Sequence, residues 1–297
     1  MSKIIIITGP TAVGKTKLSI ELAKKYNGEI INADAVQVYK GLDIGSAKVT
    51  EEEKENIPHH LFDIKDVNEE YTIYHYQKDC REKIKEILDR GNTPILVGGT
   101  GLYIKAALYD YKLTEEKETN TYNNLTTEEL YNELLELDKD IVIDKNNRRR
   151  LIRAINYYKE NNKSINNNVT NKLLYDCIFI GLTTDRKVLY DKINTRVDIM
   201  MKEGLLNEVK DFYEKGIRTK PLLNAIGYKE IYSYLDGNIS LEEAIDKIKQ
   251  NSRHYAKRQY TFFNHQLPVV WFETDSNNFN NTIEKVENYI KSIEKIK

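Results

Sequence analysis

Cysteine is scarce: Cys80 and Cys177 are the two that the sequence has. They lie far apart and show no C-x-x-C spacing, so the chain offers neither a disulfide framework nor a cysteine zinc site, and the pair suits a reducing compartment. Both read as small buried hydrophobes. An excess of charge of either sign is missing too. Charged residues make up 31% of the chain, but 45 Lys and Arg face 46 Asp and Glu, for a net charge of −1. That excludes a protein whose bulk field gathers nucleic acid or anionic membrane; any polyanion has to be met by local patches. No apolar run approaches the roughly 20 residues of a membrane span. The start, MSKIIIITGP, holds one Lys, a short apolar run and Gly-Pro, too little for the core of a signal peptide. A cytoplasmic chain with no membrane partner is expected. There is no internal repeat, and 297 residues are enough to bury a core unaided by metals or disulfides.

What is present alternates. Ile4 to Thr8 is a continuous β-branched run, as a strand buried on both faces requires, and Lys15 to Tyr26 carries Leu18, Leu22 and Ala23 at helical spacing. Glu29 to Ala33 reads as a second strand, running into Asp34. Tyr74 to Arg90 reads as a helix stopped by Gly91, and Thr93 to Val97 as a strand closed by Gly98 and Gly99. Strands that alternate with helices predict an α/β fold: a P-loop-type parallel sheet flanked by helices. From Asp110 the chain turns polar and rich in Asn and Glu, with one helix opened by the capping box Thr126 and Glu129 and carrying Leu130, Leu134 and Leu137 on one face. This is a small helical insertion. A helix over Arg148 to Tyr158 leads into an Asn-rich loop, strand character resumes over Tyr175 to Leu182, and the rest is mostly helical until Val269 to Phe272. The expected division is 1–110 as the first part of the core, 111–146 as the abbreviated insertion, and 147–297 as the rest of the core.

Gly9, Gly14, Lys15 and Thr16 satisfy G-x-x-x-x-G-K-[ST] between the first strand and the first helix. Glycines let backbone N–H groups approach phosphate oxygens, Lys15 adds a point charge, and the Thr16 hydroxyl can hold magnesium. A nucleoside triphosphatase also needs an aspartate at the end of a later apolar strand, yet PILVGG ends in glycines. The acidic residue at a strand end is Asp34, at the edge where such sheets bind ligands. It either orients a nucleophile and takes its proton, or serves as a helix cap or an indirect magnesium contact. His59 and His60 are adjacent in a loop, a spacing that seldom converges on one ion, so no metal is assigned to them.

GPTAVGKT, DAVQVYKGLDIGSAK at 34–48, HHLFD at 59–63, ILVGGTGLYIKA at 95–106, RRRLIRAI at 148–155, AIGYKE at 225–230 and YAKRQYTFF at 255–263 stand in the order found in tRNA dimethylallyltransferases. The chain resembles that family almost end to end. The resemblance implies that the exocyclic amine of the adenosine 3′-adjacent to the anticodon attacks the first carbon of dimethylallyl diphosphate, and that diphosphate leaves. The glycine loop then holds a leaving group, with no phosphoryl moved, and the strand-end aspartate missing after PILV is not needed. By the same resemblance Asp34 is the general base, with Thr11 and Arg196 beside it among the catalytic residues. Gly9, Pro10, Thr11, Ala12, Val13, Gly14, Lys15 and Thr16 hold the diphosphate, with Mg2+ on Thr16. Asp34, Ala35, Val36, Gln37 and Thr100 touch the tRNA. Before the resemblance is considered, Arg196 reads instead as a surface ion pair with Asp191 or Asp198, and the motif match reverses that reading.

A helix from Ser240 to His265 would set Lys249, Arg253 and Lys257 in one basic stripe, with Leu241, Ala244, Ile245, Ile248, Tyr255 and Ala256 on the buried side. Arg149 and Arg153 repeat the spacing on the earlier helix. Such stripes either follow an RNA backbone or are solvated helix faces. The RNA partner implied by the resemblance is a tRNA anticodon stem-loop whose target base is extruded, for which Tyr39, Tyr103 and Phe263 are candidate stacking residues and core packing is the alternative. Two positions depart from the family pattern: the short insertion, which ends in IDKNN, and Ala35, where relatives carry Ser. Other readings of the motifs are an adenylate (AMP or ATP) isopentenyltransferase, a small-molecule kinase and a non-catalytic nucleotide switch. A monomer is expected.

Overall fold

The computed structural model describes residues 3–113, 122–168, 171–275 and 277–295. Its centre is a sheet of six parallel strands: β1 (Ile4–Thr8), β2 (Gly28–Asn32), β3 (His59–His60), β4 (Thr93–Val97), β5 (Cys177–Thr183) and β6 (Val270–Glu273), in the order β3-β2-β4-β1-β5-β6. β1 lies in the middle and is buried along its whole length, paired with β4 through Ile5↔Ile95 and with β5 through Ile5↔Ile178. Its isoleucines need apolar neighbours on both faces, and each contributes about 1.5–3 kcal/mol by leaving water. The helix α1 (Lys15–Lys25) covers one face with Leu18, Ile20, Leu22 and Ala23, and joins the sheet in one apolar cluster. α2 (Ile73–Asp89) opens on a cap made by Thr72 and His75, and α3 (Gly101–Leu108) follows β4 directly.

Contacts divide the chain into two units, Met1–Leu108 with Tyr175–Lys297, and Tyr109–Leu174. The second unit is longer than the insertion expected at 111–146. α4 (Thr127–Leu137) has the expected cap, with Thr126 Oγ1 accepting from Glu129 N at 3.2 Å, but α5 (Arg148–Asn161) belongs with it. Leu151, Ala154 and Ile155 of α5 close a separate core with Leu130, Leu134, Tyr122 and Ile141. The Asn-rich stretch after α5 also contributes, since Ile165 packs on this core. Asp110 N donates to Lys172 O at 3.1 Å and Lys172 N donates back to Asp110 Oδ1 at 3.2 Å, tying the two ends of the unit together.

The first unit continues with α6 (Arg186–Glu203), α7 (Leu205–Glu214), α8 (Lys220–Asn224), α9 (Tyr228–Leu235), the long α10 (Leu241–Gln266) and α11 (Phe279–Lys295). Cys80 is buried as expected, whereas Cys177, at the start of β5, is only half-buried. No helix among the described residues is long and apolar enough to cross a membrane.

Candidate active site

Because all six strands are parallel, the loops after β1, β2 and β4 rise from one edge of the sheet, beside the strand at which its connections diverge. The first is the glycine loop. Gly9 has φ 136° and a Cβ there would stand 2.4 Å from Leu182 O, so only glycine lets β1 leave the sheet beside β5. Lys15 Nζ donates to Gly9 O at 3.1 Å and to Pro10 O at 2.7 Å, folding its ammonium back over the loop. Burial, then the nearby Arg196 charge, push that ammonium down to about 7, against an opposing pull from Asp34. Arg196 comes from α6 and donates from Nη1 to Thr11 Oγ1 at 3.0 Å. It makes no ion pair with Asp191 or Asp198; Asp198 instead takes Lys249, at 2.6 Å. Two cations therefore converge on one loop where burial disfavours the charge on each. A diphosphate reverses that penalty. A cleft of about 550 Å³, lined by Ala12, Gly14, Lys192, Thr195 and Arg196, opens between the loop and α6.

No three His, Cys, Asp or Glu side chains gather as a metal cage among the described residues. Thr16 is exposed at the start of α1, next to Lys15. One neutral oxygen beside a phosphate cradle fits a magnesium ion held mostly by the diphosphate itself, the usual mode for that ion. His60 lies on another edge, where its Nε2 donates to the ionised Glu29 Oε2 at 2.6 Å.

The second loop carries Asp34. Asn32 ends β2 and braces it from both sides: its Oδ1 accepts from Asp34 N at 2.9 Å, and its Nδ2 donates to Asp34 O at 3.1 Å and Leu61 O at 3.0 Å. Asp34 Oδ1 accepts from Val36 N at 2.8 Å, closing an Asx turn and capping no helix. Burial raises the Asp34 carboxyl above its ordinary range even though Val36 N–H, Lys15 and Gln37 N–H favour its charged form. The third loop, Gly98 to Thr100, lies against the second: Thr100 N donates to Ala33 O at 3.1 Å, and Thr100 Oγ1 accepts from Ala35 N at 3.1 Å. A Cβ on Gly98 would meet Ala33 O at 2.2 Å. The structure thus brings together Thr11, Lys15, Arg196, Asp34, Ala35, Val36 and Thr100, all in the first unit.

Gln37 belongs to the same turn, but its amide is engaged, with Nε2 donating to Ser46 O at 3.0 Å and Ala47 O at 3.2 Å. The loop it holds is itself locked by Glu208 of α7, a residue that sequence reading missed. Glu208 Oε2 accepts from Asp43 N at 3.1 Å and Ile44 N at 2.7 Å, while Oε1 accepts from Gly45 N at 3.1 Å and from the Tyr228 hydroxyl at 2.5 Å. Lys48 is nearly buried and bridges Tyr39 O at 2.8 Å to Asp43 Oδ1 at 2.6 Å. DIGSAK is therefore a loop held by Glu208 of α7, and it supports the turn that carries Asp34 and Gln37. A Glu in the polar-faced helix α7 gives no signal of this, because its partners are backbone groups 163 to 165 positions away.

The basic stripe on α10 is partly turned inward. Lys249 pairs with Asp198, and Arg253 Nη1 donates to Asn194 Oδ1 at 2.6 Å with its guanidinium over Tyr190; Lys257 remains exposed. Arg149, exposed, and Arg153, half-buried, lie on α5 in the second unit. The three aromatics are core: Tyr103 stacks on Tyr76 at 4.0 Å, and Tyr39 and Phe263 are buried.

A sequence profile of the family described as IPP transferase matches residues 37–266. The chain belongs to the IPP transferase family. It is 47% identical over 299 residues to the tRNA dimethylallyltransferase of Anoxybacillus flavithermus, covering 97% of this chain and 96% of that one. Among solved structures it is similar to the full-length tRNA isopentenylpyrophosphate transferase of Bacillus halodurans, at 44% identity and TM-score 0.78, over 98% of this chain and 96% of that one. A eukaryotic dimethylallyltransferase, captured acting on tRNA, superposes with TM-score 0.86 at 31% identity, over 98% of this chain and 80% of that one. In this IPP transferase the glycine loop and Asp34 precede the profile match, and the DIGSAK and GGTG loops fall inside it.

Proposed function

We propose that the protein transfers the dimethylallyl group of dimethylallyl diphosphate to the exocyclic amine of the adenosine 3′-adjacent to the anticodon in tRNA, releasing diphosphate. The observation that carries this reading is a half-buried carboxylate, Asp34, whose charge acts on Lys15 of the glycine loop, the same loop that Arg196 reaches through Thr11. An adenine amine is a weak nucleophile because its lone pair is delocalised into the ring. Asp34 accepts a hydrogen bond from that amine, strengthening as the nitrogen bonds to the allylic carbon, and takes the proton when the bond is made. Its raised pKa matches this task, since a base works best when its conjugate acid is not far below the working pH. As the carbon–oxygen bond breaks, charge builds on the departing diphosphate. Lys15, Arg196 and the N–H groups of residues 11–16 receive it, and Thr11 aims Arg196 by accepting its Nη1–H. A magnesium ion on the Thr16 hydroxyl and the diphosphate would neutralise part of the same charge.

The tRNA-modifying activity of the relatives, the hydrogen bond from Ala35 N to Thr100 Oγ1 next to Asp34, and the exposed Arg149 and Lys257 favour a tRNA acceptor. Incubation with labelled dimethylallyl diphosphate and either unmodified tRNA or AMP tests it: label is expected in tRNA, and preferential label in AMP rejects this reading. Asp34→Asn, isosteric and unable to take a proton, is expected to lower kcat by about a hundred- to ten-thousand-fold while tRNA binding, measured by filter retention, persists.

A further inference from the structure

Two members of the basic stripe on α10, Lys249 and Arg253, are half-buried against α6, the helix that carries Arg196. α6 rests on the sheet through Leu189 and Ile193, which belong to the central apolar cluster, and Val197 is buried one turn further on. Apolar burial holds a helix down but is non-directional, so by itself it fixes neither the roll of α6 nor its position along its axis. At about 100° per residue, Tyr190, Asn194 and Asp198 form a stripe along one flank of that buried face, while Arg196 projects from the other flank, roughly 160° away.

The polar flank is where α10 takes hold. Arg253 Nη1 donates to Asn194 Oδ1 at 2.6 Å, its guanidinium lies 6.0 Å from the centre of the Tyr190 ring, and Lys249 Nζ pairs with Asp198 Oδ1 at 2.6 Å. The partners are four residues apart on each helix and run in opposite directions, 253 with 194 and 249 with 198. Both bonds therefore form together at one register only, and they bracket position 196 along α6. On the far flank Arg196 donates from Nη1 to Thr11 Oγ1 at 3.0 Å, in the cleft lined by Ala12 and Gly14 of the glycine loop. A roll of α6 that broke either grip would swing this guanidinium off the loop. We propose that Lys249 and Arg253 are positioning residues for Arg196: they are a two-point clamp that fixes the roll and register of α6 and so holds the guanidinium against the departing diphosphate, and they do not grip RNA. This rests on the role given above to Arg196.

Two double variants of the full chain break the same bonds from opposite sides. Asn194→Ala with Asp198→Asn removes no positive charge, so it cannot weaken a contact to RNA phosphate. It is expected to weaken binding of inorganic diphosphate with Mg2+, read by titration calorimetry, about tenfold, to lower kcat/KM for dimethylallyl diphosphate by about the same factor, and to leave the KM for tRNA within about twofold. Lys249→Met with Arg253→Met gives the same losses, and the salt dependence of tRNA binding does not change. An RNA grip predicts the opposite: diphosphate binding is untouched in both, and the second variant alone weakens tRNA binding and flattens the plot of log Kd against log salt by about one to two units. Diphosphate affinity within twofold of the unaltered chain in the first variant overturns the inference, as does a flattened salt plot in the second. If the first variant does not fold, the second carries the test, and diphosphate affinity within twofold of the unaltered chain overturns the clamp there too. An unaltered chain that binds diphosphate but transfers no prenyl group to tRNA rejects the proposed function and leaves the clamp standing on its binding readout, so the two failures are told apart.

Discussion

Lys15 is held by opposing influences. Burial and Arg196 weaken its hold on a proton, Asp34 strengthens it, and the balance lies at about 7. A bound diphosphate adds negative charge and raises it again. Binding therefore takes up a proton above pH 7, and affinity for diphosphate is expected to fall by up to about tenfold per pH unit from about 7 to 9. Titration calorimetry in buffers of differing ionisation enthalpy reads that uptake. The same slope in Lys15→Met would show that it comes from the diphosphate's own titration. The stability consequence has the opposite sign. The folded pKa is below the unfolded one, so the unfolded chain holds more protons between about 7 and 10.5, and the unliganded protein gains stability as pH rises through that window. Asp34, aligned by Asn32 and Val36, was legible as a residue of note because a lone acid follows an apolar strand. Its burial, which raises the carboxyl above its ordinary range, was not.

Loops and helices show a second kind of dependence. Glu208 answers three consecutive N–H groups, Asp43 to Gly45, from a helix far along the chain. Removing its charge weakens bonds that each contribute about 1.5–3 kcal/mol. Glu208→Gln is expected to loosen the loop that holds Gln37, raising the KM for tRNA several-fold with little change in the KM for dimethylallyl diphosphate. Equal effects on both would contradict a role confined to the turn at 34–37. The strands other than β3, and the helices α1, α2 and α10, were legible within a residue or two, because β1 and β4 are apolar runs and α10 has a capping box, Glu243 N on Ser240 Oγ at 3.1 Å. β3 was not foreseen: it has two residues, His59 and His60, too few for any alternation to show.

At the scale of the chain, contacts divide the protein into two units, and the second has an apolar core of its own. Leu151 is fully buried among Leu130, Leu134 and Ile155. Leu151→Ala should cost about 2–5 kcal/mol in that core. Hydrogen exchange is expected to quicken within Tyr109–Leu174 and to stay unchanged in β1, β4 and β5. Acceleration throughout would mean that the two units unfold as one. The contact unit runs past the expected 146 because Leu151, Ala154 and Ile155 of α5 pack with Leu130 and Leu134 of α4.

Linear order settled the strand and helix sequence, the glycine loop and the family, since each is a pattern among near neighbours: an apolar run, a cap, glycines at fixed spacing. Packing settled the rest. Arg196 reaches Thr11 across 185 positions, Lys249 and Arg253 turn toward α6, and α10 seats Tyr255 and Gln259 on the GGTG loop. A helical period names the buried face of a helix but not the surface that face will meet, and the chemistry of this site depends on those meetings.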